Sequence, residues 1–314
     1  MGCEYLIIGA PMFLVSDEDL VVAVSEAGGV GAMPSLNWRT TEEFRKAVQN
    51  VKARTKKPFG VNIIVNQANP RVATDLQVCV EEKVPMIITS LGNPKEVIKK
   101  MHAIGSKVFC DVTDLKYALK CEELGADGVI AVSTGAGGHA GPVSPLVLLP
   151  YLKKYLKIPV IAAGGIVTGQ QAAATMMLGA SAVQIGTRFI ATPEAKVEQS
   201  YKDAILNAEP EDIVMTNKLS GTPCAVIRTP YIDKIGTDLN FIERTLLKNP
   251  KTKKYMKLVR SYIGSEALKK AVTGPTYKEV WCAGQSVGLI EKIQPAAEIV
   301  TEIASDIQKF LPKN

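Results

Sequence analysis

Residues 159–188 read Pro159-Val160-Ile161-Ala162-Ala163-Gly164-Gly165-Ile166, then an alanine-rich run closing at Gly179, then Val183-Gln184-Ile185-Gly186-Thr187-Arg188. Each of the two apolar runs stops on glycine, and a single helix-length segment separates them. Strand, glycine turn, helix, strand, glycine turn is the grammar of a parallel sheet. In a (β/α)8 barrel, two such junctions late in the chain are the loops after the seventh and eighth strands. There, exposed backbone N–H groups and a short helix N-terminus commonly hold a phosphate. The pair therefore predicts a phosphorylated cofactor or substrate. It also predicts that neither Gly164 nor Gly186 accepts a side chain, because a Cβ would intrude on that ligand and strain any positive φ.

Working outward, six more short apolar runs precede this unit. Strands are expected at 6–11, 30–33, 59–65, 86–89, 107–112, 128–132, 159–163 and 182–185, a count of eight. Between them lie segments with apolar residues three and four apart, such as Phe44, Val48 and Val51, or Leu115, Ala118 and Leu119. Gly28, Gly105, Gly125 and Gly179 sit where C-cap glycines end four of these helices. After Arg188 the alternation stops, and prolines at 210, 223, 230, 250 and 275 interrupt what reads as helix-rich sequence. The expected architecture is an α/β (β/α)8 TIM barrel, residues 1–192 and 283–314, with a smaller helical, substrate-side subdomain, residues 193–282, inserted after strand eight. Residues 284–310 read as one amphipathic helix returning to the barrel.

The 314 residues suffice for one large barrel with an appendage, and 46% hydrophobic with 22% charged residues is ordinary globular composition. Six cysteines, with no C-x-x-C pair, read as reduced thiols in a cytoplasmic protein. No apolar stretch approaches the roughly 18 residues of a membrane span. The net charge of +6 is concentrated in the acid-poor segment from Arg244 to Arg260. That segment is either a solvated face or a landing site for an acidic partner such as a carrier protein. Nucleic acid is not expected, because no interleaved aromatic platform accompanies the charge.

The loop after strand six reads Thr134-Gly135-Ala136-Gly137-Gly138-His139-Ala140-Gly141-Pro142. Four glycines around one histidine pack poorly but let the backbone approach a ligand, which points to His139 as a catalytic proton carrier. His102, inside a helical run, reads as a surface residue. A G-x-G-x-x-A match through Gly135, Gly137 and Ala140 fails as a dinucleotide fingerprint, since Pro142 and Pro145 block the helix it must open. A Walker loop fails as well, because Gly164–Gly169 leads to Gln170 and Gln171. No metal-ligand spacing and no nucleophile elbow is present.

Taken in order, several segments together resemble the nitronate monooxygenase family, formerly 2-nitropropane dioxygenases. They are Ala10-Pro11-Met12, Ser25–Gly31, Gly60-Val61-Asn62, Ser90–Pro94, Gly137–Gly141, Ala163–Ile166, Gln184–Phe189 and Ala283-Gly284-Gln285. The resemblance implies an FMN-binding TIM barrel and an oxidoreductase that acts on alkyl nitronates or nitroalkanes with O2. The family also includes NAD(P)H-dependent enoyl-acyl carrier protein and quinone reductases, the alternative reading. A non-redox lyase or isomerase that uses the phosphate loops for its substrate is a third. The resemblance implies that Gly164, Gly165, Gly186 and Thr187 hold the FMN phosphate. Ala10, Pro11, Met12, Asn62, Thr89, Asp111 and Gly138 would contact the rest of the cofactor, and Gly284 and Gln285 would close the site. Expected partners are a small-molecule substrate and O2 or NAD(P)H, with a homodimer allowed. Two positions depart from the pattern: Gly135, where many relatives carry a carboxylate, and Gly9, where they carry Gln.

Overall fold

A computed structural model describes residues 2–66, 69–219, 222–238 and 280–311. Eight parallel strands close into a barrel: β1 (Ile7–Gly9), β2 (Val30–Pro34), β3 (Phe59–Ile64), β4 (Met86–Ser90), β5 (Lys107–Val112), β6 (Gly128–Val132), β8 (Val160–Ala163) and β9 (Ala182–Ile185). β1 pairs with both β2 and β9, which completes the ring. All eight strands lie where the apolar runs place them, with ends shifted by at most a few residues. Crossover helices cover the outside: α1 (Glu18–Glu26), α2 (Thr41–Arg54), α3 (Val72–Glu81), α4 (Lys95–His102), α5 (Leu115–Glu123), α6 (Pro145–Tyr155) and α7 (Gly169–Met177).

Local chemistry fixes the helix ends. Thr40 and Glu43 form a reciprocal capping box at the start of α2, and Thr168 and Gln171 repeat it at α7, directly after the first glycine loop. The four expected C-cap glycines all have positive φ. The strand interior packs as Ile8, Val30, Ala32, Met86, Ile88, Phe109, Ile130, Ile161 and Ala163. The larger apolar layer lies between strands and helices, with Phe44, Val48 and Val51 of α2 fully buried.

Beyond the barrel the structure corrects the sequence reading. Residues described between 193 and 282 do hold helices, α9 (Gln199–Asn207) and α10 (Pro230–Ile235), but also two strands, β10 (Ile213–Thr216) and β11 (Cys224–Ile227). These join the two-residue strand β7 (Gly138–His139) in a three-stranded antiparallel sheet. The stretch 284–310 is likewise not one helix. A 3-10 turn spans Gln285–Leu289, and α11 (Ala296–Phe310) starts after Pro295, which lacks the N–H a continuous helix needs. α11 buries Ile299, Val300 and Ile303 and packs so tightly on α7 that a Cβ on Gly169 would lie 2.2 Å from Asp306 Cβ. The basic segment Arg244–Arg260 lies outside the described residues.

Candidate active site

The C-terminal ends of the strands carry the glycine loops, and the loops are wired to one another. After β8, Gly164 has φ +107°, and a Cβ there would meet Ala136 N at 2.9 Å and Ser133 Oγ at 3.0 Å. Gly165 donates its N–H to Gly135 O at 3.1 Å, while a Cβ on Gly165 would meet nothing within 4 Å. Its φ of +73° makes glycine the fitting residue, and the space above it is open. After β9, Gly186 departs from expectation: its φ is −113°, and a Cβ would make ordinary contact at 3.5 Å with Ala10 Cβ and Met12 Sδ. Nothing in the fold forbids a side chain there. Thr187 begins the short helix α8 (Thr187–Ile190) and accepts the Gly284 N–H at 3.0 Å, leaving its own hydroxyl proton to donate.

The first-strand loop is braced by Ser16, whose hydroxyl donates to Ala10 O at 2.8 Å and accepts Met12 N–H at 3.0 Å. From the C-terminal side, a Cβ on Gly284 would lie 2.2 Å from Gly135 O, and one on Gly137 would lie 2.8 Å from Gly284 N. The segment 281–284 thus acts as a strap laid against the histidine loop. Pro11 is half-buried in the Ala10–Met12 turn, and Gln285 is exposed at the first position of the 3-10 turn.

Inside the mouth a polar chain crosses three strands. Asn62 Nδ2 donates to Ser90 Oγ at 2.7 Å and to Ile88 O at 3.1 Å, and Ser90 Oγ donates to Asp111 Oδ2 at 2.6 Å. Burial pushes the Asp111 carboxyl up to about 6, against the Ser90 hydrogen bond that lowers it. Asp111 Oδ1 and Gln184 Oε1 are both buried with no partner in the protein. Burying an unmatched polar atom costs about 1–3 kcal/mol. Both oxygens stand at strand ends as acceptors left open by the protein itself. Ser90 and Gln184 were not read as site residues, although a polar residue inside an apolar strand was the available signal. Thr89 was read as one, but its hydroxyl meets Cys110 Sγ at 3.2 Å in the strand–helix layer, and Ser90 holds the interior position.

His139 sits on β7 rather than on a free loop, in register with Cys224 of β11. Solvent reaches the residue, yet protein mass around the ring desolvates it and holds the imidazole pKa below its usual value. His102 lies elsewhere, paired with Asp127 at 2.7 Å on the outer surface. Among the described residues no group of three or more His, Cys, Asp or Glu side chains is arranged to hold a metal. None of the described helices is long and apolar enough to cross a membrane.

The nitronate monooxygenase family model matches residues 1–75 and 66–306. The chain belongs to the nitronate monooxygenase family. It is 27% identical to a nitronate monooxygenase of Paraburkholderia phytofirmans, over 99% of this chain and 94% of that one. It is 29% identical to a hydroxy-methyl-oxo-octahydroindene-carboxyl-CoA dehydrogenase of Rhodococcus jostii, over 98% and 94%. Among solved structures, FabK from Thermotoga maritima superposes with a TM-score of 0.85 at 36% identity, covering 98% of this chain and 94% of that one. Nitroalkane oxidase from Streptomyces ansochromogenes superposes with a TM-score of 0.82 at 26% identity, covering 98% and 97%. The family and these relatives place the chain among oxidoreductase enzymes on a TIM barrel.

Proposed function

We propose that this family member is an FMN-dependent oxidoreductase that oxidises alkyl nitronates and nitroalkanes with molecular oxygen, with His139 as its proton-transfer residue. The observation that carries this reading is the state of His139. Desolvation lowers its imidazole pKa and so favours the uncharged form, the one that accepts a proton from carbon. An enolate-protonating role would call on the charged form instead.

The residues present fit FMN. Gly164 and Gly165 with Gly186 and Thr187 are the phosphate end, and the open space over Gly165 is compatible with a group seated there. Asp111 Oδ1 and Gln184 Oε1 would accept from the donors of the ribityl chain or the ring imide. Ala10, Pro11, Met12, Asn62 and Gly138 would flank the same molecule, with Gly284 and Gln285 on its open side. When bound, FMN supplies the electron acceptance that no amino acid side chain offers. The protein's part is to orient the substrate carbon toward His139, to take its proton on a ring nitrogen, and to shield the reaction with the strap.

A second reading, an NAD(P)H-dependent reductase of enoyl thioesters or quinones, is favoured by a specific observation. The 36% identity to FabK exceeds the 27% to the nitronate monooxygenase, and a carboxyl-CoA dehydrogenase relative from Mycobacterium tuberculosis reaches 34% over 75% of this chain. An acidic carrier protein meeting Arg244–Arg260 would belong to this reading. Anaerobic mixing of the FMN-loaded protein with NADH, NADPH and an alkyl nitronate in parallel separates the two. Flavin bleaching by the nitronate alone supports the first reading, and rapid bleaching by a pyridine nucleotide alone overturns it in favour of the second.

A further inference from the structure

Two cysteines stand where the strap meets the sheet that carries His139. Cys224 lies on β11 in register with His139, and Cys282 forms an isolated antiparallel bridge with Val226, two residues further along the same strand. Residues two apart on a strand share a face, so both thiols lie on one side of the sheet. Their sulfurs are 4.0 Å apart. We propose that Cys224 and Cys282 are a reversible dithiol–disulfide pair whose closure ties the strap to the histidine-bearing sheet.

Neighbouring contacts set where the strap meets the sheet. Tyr201 OH donates to Cys282 O at 2.6 Å, Ile227 N–H donates to Trp281 O at 2.8 Å, and the Tyr201 and Trp281 rings stack at 6.0 Å. β11 is fixed on both edges by β10 and β7, whereas the strap meets it through a single bridge, so the strap is the partner that moves. A disulfide is about 2.05 Å long, so closure needs about 2 Å of approach; diagonal neighbours across a strand pair stand about 7–8 Å apart at Cα, so side-chain rotation is joined by a small shift of the strap backbone.

The two thiols are not equivalent. Cys282 is half-buried while Cys224 is buried, and their contact, with the Cys224 S–H as donor, lowers the Cys282 thiol pKa while it and burial push Cys224 up. Cys282 is therefore the attacking sulfur and Cys224 the resolving one. With hydrogen peroxide as oxidant, the Cys282 thiolate attacks one oxygen: an S–O bond forms, the O–O bond breaks and hydroxide leaves, giving a sulfenic acid. Cys224 sulfur then attacks Cys282 sulfur and displaces the hydroxyl as water. In sum two thiols lose two electrons and two protons, and one peroxide is reduced to two waters. Cys110 and Cys121 also lie near one another, but both are fully buried between barrel and helices, out of an oxidant's reach.

The test treats the full chain with hydrogen peroxide, maps cross-linked peptides by mass, and follows amide exchange across residues 281–290, with no dependence on the functional reading above. The expected result is a Cys224–Cys282 cross-link reversed by dithiothreitol, with strap exchange slowed about tenfold as the linked segment opens less. Cys224→Ser should halt at a Cys282 sulfenic acid that a dimedone probe captures. Unmodified thiols, a cross-link at Cys110 and Cys121 instead, or a Cys224–Cys282 disulfide that leaves strap exchange unchanged would each overturn the proposal.

Discussion

The loops after β8 and β9 look alike in sequence, each an apolar strand ending on glycine, yet they use glycine for different reasons. Gly164 is glycine because the fold demands it, with φ at +107° and Ala136 and Ser133 within 3.0 Å of any Cβ. Gly186 has negative φ and room for a Cβ against Ala10 and Met12. On the proposed reading, the FMN phosphate rather than the fold is what keeps Gly186 a glycine. The two glycines thus differ in what the fold requires of them, and substitutions can break that difference at each level.

The largest expected effect is at Gly164. Gly164→Val forces a β-branched residue into a left-handed conformation and against backbone, at a cost of about 3 kcal/mol or more. Thermal denaturation of the cofactor-free protein should show a clear fall in Tm. An unchanged Tm would remove the fold's claim on this glycine.

Asp111 carries the comparison to polar groups, since its Oδ1 is buried and unmatched within the protein. Its carboxyl is raised to about 6, above the roughly 3.9 of an unfolded chain, so between those values the folded state holds a proton the unfolded chain has released. Stability from this group is therefore full below about pH 4, falls as pH rises toward 6, and stays reduced above it. Asp111→Asn should flatten that slope and stabilise the cofactor-free protein by about 1–3 kcal/mol at pH 7.5. Urea titrations at pH 4.5 and 7.5 measure it, and identical slopes for both proteins would count against the burial.

The smallest stability effect belongs to Gly186→Ala, whose single Cβ the site accommodates at ordinary contact distance. The cofactor-free variant should match the parent within about 0.5 kcal/mol. Its affinity for FMN should nevertheless drop about 100-fold, the worth of two charge-assisted hydrogen bonds to a phosphate. Equal FMN affinity would move the phosphate elsewhere. A large loss of stability would make the two loops the same after all.

This distinction also explains what could be read from the sequence. Strands of a closed parallel barrel are buried on both faces, so they appear as unbroken apolar runs, and all eight were legible. The same property hides which residues face inward, because two apolar faces leave no alternation. That is why the run 86–90 does not tell Thr89, which faces the helices, from Ser90, which faces the interior. Asn62 and Asp111 were reached through family likeness, although each is also a polar break in an apolar run. The sheet of β7, β10 and β11 was missed for another reason. Its strands are two and four residues long, come from distant segments, and carry no hairpin signal between β7 and the other two. As a result His139 was expected on a loose loop, where a short strand in fact aims it.

The most direct test of the whole account is His139→Asn assayed with a neutral nitroalkane and with its preformed nitronate. Losing a general base costs about 10² to 10⁴ in rate, and only the neutral substrate needs a carbon proton removed. Turnover of the nitroalkane should fall by roughly that factor while turnover of the nitronate changes little. In the parent, kcat/KM for the nitroalkane should rise with pH to a plateau set by a pKa below the roughly 6.5 of free imidazole, the base form being active. Equal losses on both substrates, or none on either, would contradict the role of His139 as the base.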